Sequence, residues 1–202
     1  MNKSVKMLFY ACILLTACTQ LSSCKKEKTY NLPPQVFNIM TKAQLDKLVS
    51  MGLPINEGTT PPNIDSVYLN NTLKCTYDGS GGGNVGRFYL SMKIRFANFN
   101  TTDNTVKMSY KQGSESASGV GSIVSGKGND FTVFTKNTGV LSGINFTSVT
   151  VFSGTKTASG ITNFKYSLLI LTKDTDPTNI VIGANEGRTF IENDGDSPFT
   201  TW

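Results

Sequence analysis

From residue 87 to residue 99 the chain alternates apolar and polar residues. Phe88, Leu90, Met92, Ile94 and Phe96 interleave with Tyr89, Ser91, Lys93 and Arg95. A period of two sends successive side chains to opposite faces of a strand, one buried and one wet, as in an antiparallel sheet. Val106, Met108 and Tyr110 repeat the pattern against Lys107, Ser109 and Lys111. Further strand-like segments span 66–77, 118–125, 130–136, 144–153, 162–173, 179–183 and 187–192, separated by turn-forming stretches such as 100–104, 126–129 and 154–160. Nine short strands without intervening helices exclude a parallel α/β sheet and predict an all-β fold. Hairpin-length connections favour an antiparallel up-and-down barrel of lipocalin-like type over the alternative, a β-sandwich, since a Greek key needs a long return. The run 168–171 is apolar on both faces, which predicts a strand covered on both sides.

One short helix precedes the strands. Thr41 and Gln44 fit a capping box, Leu45, Leu48 and Val49 make one apolar stripe, and Gly52 stands where a left-handed C-terminal cap belongs. The expected single all-β domain, helix included, therefore covers 41–202. Residues 24–40, charged and then interrupted by Pro33-Pro34, read as a tether.

The N-terminus has the layout of an export signal. Lys3 and Lys6 precede an apolar run over 7–15, about half the roughly 20 residues that a spanning helix requires. Leu21-Ser22-Ser23-Cys24 follows and resembles the lipobox of bacterial lipoproteins. The resemblance implies that residues 1–23 are a signal peptide and that Cys24 carries diacylglycerol. Leu15-Thr16-Ala17-Cys18 fits the same pattern, so Cys18 is the alternative; the charged run Lys25-Lys26-Glu27-Lys28 after Cys24 suits a solvated tether. Two acyl chains hold a protein stably where one holds it marginally. The implied address is the outer membrane, at the cell surface or on its periplasmic face.

Export also accounts for the charge. The formal +5 falls to near neutrality from Asn31 onward, where 14 basic residues face 13 acidic ones. A neutral domain gives no support to nucleic-acid binding, which needs a clustered positive face. Of the four cysteines only Cys75 lies beyond the signal and the lipidation motifs, and it reads as a buried apolar residue; with Cys18 lipidated, Cys24 and Cys75 could pair instead.

The chain has no histidine. That removes the commonest general base, the usual Ser-His and Cys-His pairs and most zinc sites. A carboxylate-pair hydrolase remains chemically open, with Glu115, Asp130, Glu186 and Glu192 as candidates. Each sits in or beside a Gly/Ser/Asn turn, where a solvated loop carboxylate is the simpler reading. The stretch 81–86 matches G-x-G-x-x-G in form, but a strand follows where a dinucleotide site needs a helix, so it reads as a hairpin loop. Glu192, Asp194 and Asp196 alternate without the glycine position and distal glutamate of a calcium loop and read as a polar turn, as do Asp174 and Asp176 before Pro177. No catalytic residue, cofactor or metal is expected. Tyr89 and Phe99 fall on the polar face of their strand, where aromatics can stack on sugars or dock proteins. Gly119, Gly121 and Ser122, if inward, would leave room inside the barrel.

Pro61-Pro62-Asn63-Ile64, Tyr68 and later stretches such as 110–113, 125–129 and 153–157 resemble an uncharacterised group of lipoproteins of the Bacteroidetes. Lipocalin-like barrels often open on a Gly-x-aromatic pair; here the first position is Ser66. The resemblance implies envelope placement and names no substrate. The function expected is non-catalytic: a lipid-anchored barrel that binds a small ligand, a glycan or a partner protein. Its alternative is a structural or assembly subunit of an outer-membrane complex.

Overall fold

The computed structural model describes residues 28–113 and 115–202, the side chains of 115–118 and 120 apart. The signal segment 1–23 and both candidate lipidation cysteines, Cys18 and Cys24, lie outside the described residues. The chain divides into Met1–Tyr30 and Asn31–Trp202. The second unit begins with α1 (Val36–Ile39) and α2 (Lys42–Ser50). Its strands are β1 (Thr59–Thr60), β2 (Ser66–Asn70), β3 (Leu73–Asp78), β4 (Phe88–Tyr89), β5 (Met92–Asn100) and β6 (Thr105–Gln112). Then come β7 (Glu115–Lys127), β8 (Asp130–Leu141), β9 (Ile144–Lys156), β10 (Gly160–Lys173), β11 (Gly187–Glu192) and β12 (Asp196–Pro198).

Ten of these strands form one strongly curled antiparallel sheet, with hydrogen-bonded order β2-β5-β6-β7-β8-β9-β10-β11-β3-β4, while β12 pairs with β10 and the two-residue β1 pairs in parallel with β7. Its two ends are continuations of each other. Ser66 to Asn70 pair with Phe96 to Met92, and Leu73 and Lys74 pair with Tyr89 and Phe88, so β2–β3 and β4–β5 make one interrupted hairpin in a single register. Strand β11 then pairs with β3, and Phe199, just after β12, bridges Tyr68 of β2. The first and last staves thus meet, and the all-β up-and-down order expected from the sequence holds.

Three sequence expectations need correction. Residues 179–183 form no strand, and the connection from β10 to β11 is a long loop over 174–186. The alternation along 87–99 slips at Leu90-Ser91. Tyr89, opposite buried Leu73, turns inward, while Phe88 and Leu90 stand 59% and 68% exposed. Phe99 also packs against the core, because a bulge between Ala97 and Asn100 reverses the alternation there. Residues 32–40, finally, are not part of a tether as expected for 24–40. Leu32, Val36 and Met40 are buried within the second unit, and Pro33 and Pro34 open the turn that leads into α1.

Helix α2 forms as its termini dictate. Thr41 Oγ1 accepts from Gln44 N–H while Gln44 Oε1 accepts from Thr41 N–H. At the other end Gly52, at φ +90°, lets Leu53 N–H reach Leu48 C=O and Gly52 N–H reach Val49 C=O, closing a Schellman motif. Helix α1 contacts β8 and α2 contacts β10. The outward residues Phe134, Val149, Val151 and Leu169 of β8–β10 are accordingly buried, which explains the two-sided apolar character of 168–171. Asn56 fixes the segment after α2 to the outside of the sheet. Its N–H donates to Thr132 Oγ1, its Nδ2 to Phe131 C=O and Ser153 Oγ, and its C=O accepts from Ser125 Oγ.

The two ends of the barrel differ. At the end holding the 101–104, 128–129 and 157–159 turns the interior is filled. Phe96 packs edge-on against Phe131 (6.4 Å) and Phe152 (6.0 Å), with Tyr68, Phe164 and Ile161 around them. The opposite end, bounded by the loops at 79–87, 142–143 and 174–186, is a mouth.

Candidate functional site

The alternation of β8–β11 sends a defined set of side chains into the mouth. Along β9 these are Ile144, Phe146, Ser148, Thr150 and Phe152; opposite them on β10 stand Ile170, Leu168 and Tyr166. All of these but Ile144, with Tyr89, Met92, Tyr110 and Phe190, line a cavity of about 160 Å³. Its floor is aromatic. Tyr166 stacks on Phe190 (4.7 Å, 13°) and on Phe152 (5.8 Å, 27°), and Tyr89 meets Phe190 edge-on (5.0 Å, 84°). Such pairs add about 0.5–1.5 kcal/mol beyond simple burial and hold the ring faces in fixed orientation.

The roof is the 174–186 loop, which lays Ile180, Val181 and Ile182 over the opening. Asp176 organises it. Its carboxylate accepts from Ile180 N–H (3.0 Å), Val181 N–H (2.8 Å) and Lys173 Nζ (3.0 Å), and Lys173 also donates to Val181 C=O (2.7 Å). These bonds take up the backbone groups that a strand over 179–183 would offer to a neighbour. Burial opposes the charge on Asp176, but Lys173 and the two N–H groups outweigh it and bring the carboxyl down to about 2. Asp174, also expected in a turn, accepts from Asn145 Nδ2.

At the rim, Arg188 Nε donates to Asp78 Oδ1 (3.1 Å). The same carboxylate accepts from Ser80 Oγ and from Asn84 N–H and Nδ2, so the glycine-rich loop at 81–86 is wound around Asp78. Burial works against that carboxylate, yet the Ser80, Asn84 and Arg188 bonds hold it well below the usual carboxylate range.

Of the four carboxylates singled out from the sequence, the side chain of Glu115 lies outside the described residues, and Asp130, Glu186 and Glu192 stand at three separate places. Glu115 opens β7. Asp130 starts β8 and accepts from Thr155 Oγ1, and Glu186 caps Gly183 N–H in the roof loop. Glu192 is buried at the junction of β11 with β3, where it accepts from the N–H groups of Thr72 and Asn193; burial pushes its pKa up. Asp194 accepts from Asp196 N–H in the turn between β11 and β12. Among the described residues no three acidic or cysteine side chains group as a metal site would need. Cys75 lies fully buried inside the barrel, its thiol donating to Tyr77 C=O. Gly119 and Ser122 face inward, whereas Gly121 sits in a bulge at φ +71° and is exposed.

No family model, curated protein or solved structure matches the chain.

Proposed function

We propose that the protein is an exported, lipid-anchored, non-catalytic barrel of the cell envelope that holds a small, largely apolar ligand in its mouth. The observation that carries this reading is the aromatic-floored cavity under the 174–186 loop. A filled barrel would need no such space. A void of ~150 Å³ lined by apolar side chains takes up benzene, which sets the scale of the occupant at about one ring. The chain enters the second unit at Asn31, whose C=O accepts from Gly58 N–H beside the end of β7, on the filled side of the barrel.

Titration of the full chain with toluene, followed by the ¹³C-methyl resonance of Met92 in the cavity wall, tests the binding. A saturable shift is expected; a resonance that never moves refutes the ligand reading. Mass spectrometry of the mature N-terminus tests the anchor, with acylated Cys24 as the expected species. An N-terminus without acyl chains at both cysteines removes the lipoprotein reading.

A second reading, docking of a partner protein as in an outer-membrane assembly, draws on Val85, Phe88 and Leu90. These stand 60%, 59% and 68% exposed along one rim hairpin, and exposed apolar groups that cluster mark interaction sites more often than scattered ones do.

A further inference from the structure

The mouth is not apolar throughout: Gln112 and Arg188 also line it, engaged with Leu90 C=O and Asp78 respectively, and the hydroxyls of Ser148 and Thr150 point to the chemistry of the occupant. We infer that the ligand carries a hydrogen-bonding oxygen, a phenol-like hydroxyl or a carbonyl, read by the Thr150 hydroxyl while its ring lies on the Tyr166–Phe190 floor. The inference rests on the ligand-binding reading above and specifies the ligand class of that site.

Thr150 and Ser148 line the cavity from β9, buried to 6% and 4% exposure. Behind them, on the inward face of β8 and β7, stand Asn137, Thr135 and Ser122. Asn137 Nδ2 donates to Thr150 Oγ1 (3.0 Å), and Asn137 Oδ1 accepts from Thr135 Oγ1 (3.4 Å). An ideal Cβ on Gly119 would sit 3.0 Å from Asn137 Oδ1 and 3.2 Å from Ser122 Oγ, so this side-chain-free position makes room for the polar group. A hydroxyl is one donor and two acceptor sites. With one lone pair of Thr150 Oγ1 taken by Asn137, its proton is left to donate toward the cavity. Asn137 is thus a positioning residue and Thr150 the reader.

The placement is costly without a ligand. Burying a hydroxyl away from water costs free energy unless it is bonded, and Ser122 Oγ is buried with no hydrogen-bond partner. A barrel stabilised only by packing would carry Val or Ile at these inward positions, as it does at Val124 and Val133 of the filled half. The polar belt instead lies at the height of the cavity, beside the aromatic floor, with Thr150 two residues before Phe152 on β9.

Phenol and toluene have the same shape and differ in the group that Thr150 would read. In the full chain purified in detergent, partition into micelles is common to wild type and variant and cancels from their ratio. Thr150→Val removes the hydroxyl and keeps the volume. A neutral hydrogen bond contributes about 0.5–1.5 kcal/mol, so phenol binding, followed by the Met92 methyl, weakens about 2- to 10-fold while toluene stays within twofold. Thr150→Ala removes the same hydroxyl with a smaller side chain, is expected to lower the phenol-to-toluene preference in the same direction, and serves if Thr150→Val does not fold. Equal changes for the two compounds, or none, overturn the assignment of Thr150 and leave the ligand reading standing. A Met92 methyl that responds to neither compound in the wild type overturns the ligand reading, and this inference with it.

Discussion

The division of the barrel into a filled end and a binding mouth predicts different consequences for truncating two phenylalanines. Phe190 is 3% exposed, stacks on Tyr166 and takes the edge of Tyr89. Removing its ring forfeits about 1.5–3 kcal/mol of transfer free energy and two ring contacts at about 0.5–1.5 kcal/mol each. It borders an existing cavity that solvent can enter, so the added void costs little, and Phe190→Ala should destabilise by about 3 kcal/mol, the low end for such changes. Phe131 is fully buried against Phe96 in the filled half, where nothing can take the place of the ring. Phe131→Ala should cost about 4–5 kcal/mol. Urea denaturation followed by circular dichroism gives both values, provided the slope with denaturant is unchanged. Binding should divide the other way: Phe190→Ala loses toluene affinity at least tenfold, and Phe131→Ala keeps it within twofold. A Phe131→Ala protein that loses the ligand beside a Phe190→Ala protein that retains it would refute this division of the interior.

Cys75 is fully buried, and burial, with Asp78 adding to it, pushes its thiol pKa up; it should stay inert to a disulfide-exchange reagent at pH 8 and react at once in denaturant. Asp176 has a depressed folded pKa, so its hold on the roof loop is complete above the unfolded carboxylate value of about 3.9 and is lost as pH falls toward about 2. Amide exchange at Val181, corrected for the intrinsic rate, should therefore be flat from pH 7 to pH 5 and accelerate only below pH 4; acceleration at pH 6 contradicts the assignment. Asn56→Ala removes the Nδ2 bonds to Phe131 C=O and Ser153 Oγ while the backbone bonds to Thr132 and Ser125 remain, and should cost about 1–3 kcal/mol, measured by the same urea titration. Glu192 has a raised folded pKa, so its contribution is present at low pH and fades as pH rises through that value; Glu192→Gln keeps the acceptor and should be neutral or stabilising at pH 7, whereas Glu192→Ala should destabilise by about 1–3 kcal/mol.

What the sequence disclosed depended on how local the cause was. Helix α2 is specified by Thr41, Gln44 and Gly52 within its own turns, and the strand order follows from alternation and short turns, so both were legible. The inward turn of Tyr89 was not, because Phe88, Tyr89 and Leu90 fit either face and the slip at Leu90-Ser91 is decided by pairing with Leu73. The false strand at 179–183 arises because Asn-Ile-Val-Ile-Gly has strand composition, while Asp176, just upstream, captures the N–H groups that a strand would need. The cavity was illegible for a different reason: its floor joins residues from Tyr89 to Phe190, and only the register brings them together. One signal was available. Read in steps of two from Ile144, β9 gives Ile, Phe, Ser, Thr, Phe, and two hydroxyls on an otherwise apolar inward face mark the polar belt.

The same attention to backbone groups explains how the barrel closes and why its most suggestive carboxylate is structural. The first hairpin and the last stave are interrupted at one height, at 71–72, 90–91 and 193–195, which lets β2–β3 bend from β5 toward β11 and β12. A β-bulge or break frees ladder groups, and in a buried seam each freed group costs about 1–3 kcal/mol unless it is bonded. Asn70 is fully buried there; its Nδ2 donates to Met92 C=O and its Oδ1 accepts from Ser197 Oγ, tying β2 to β5 and β12. Asn193 N–H reaches Thr72 C=O, and Thr72 N–H is met by the carboxylate of Glu192. Asn70, Ser197 and Glu192 thus occupy inner or seam positions because they repair a ladder that must break for the sheet to close. The belt at Ser122, Thr135, Asn137 and Thr150 also lies beside a break, where β7 bulges at Gly121 and the β7–β8 pairing stops at Ile123–Phe134, but Asn137 bonds the Thr150 and Thr135 side chains there rather than a freed backbone group. Buried polar residues therefore fall into two groups in this barrel, one answerable to its own backbone and one facing the cavity.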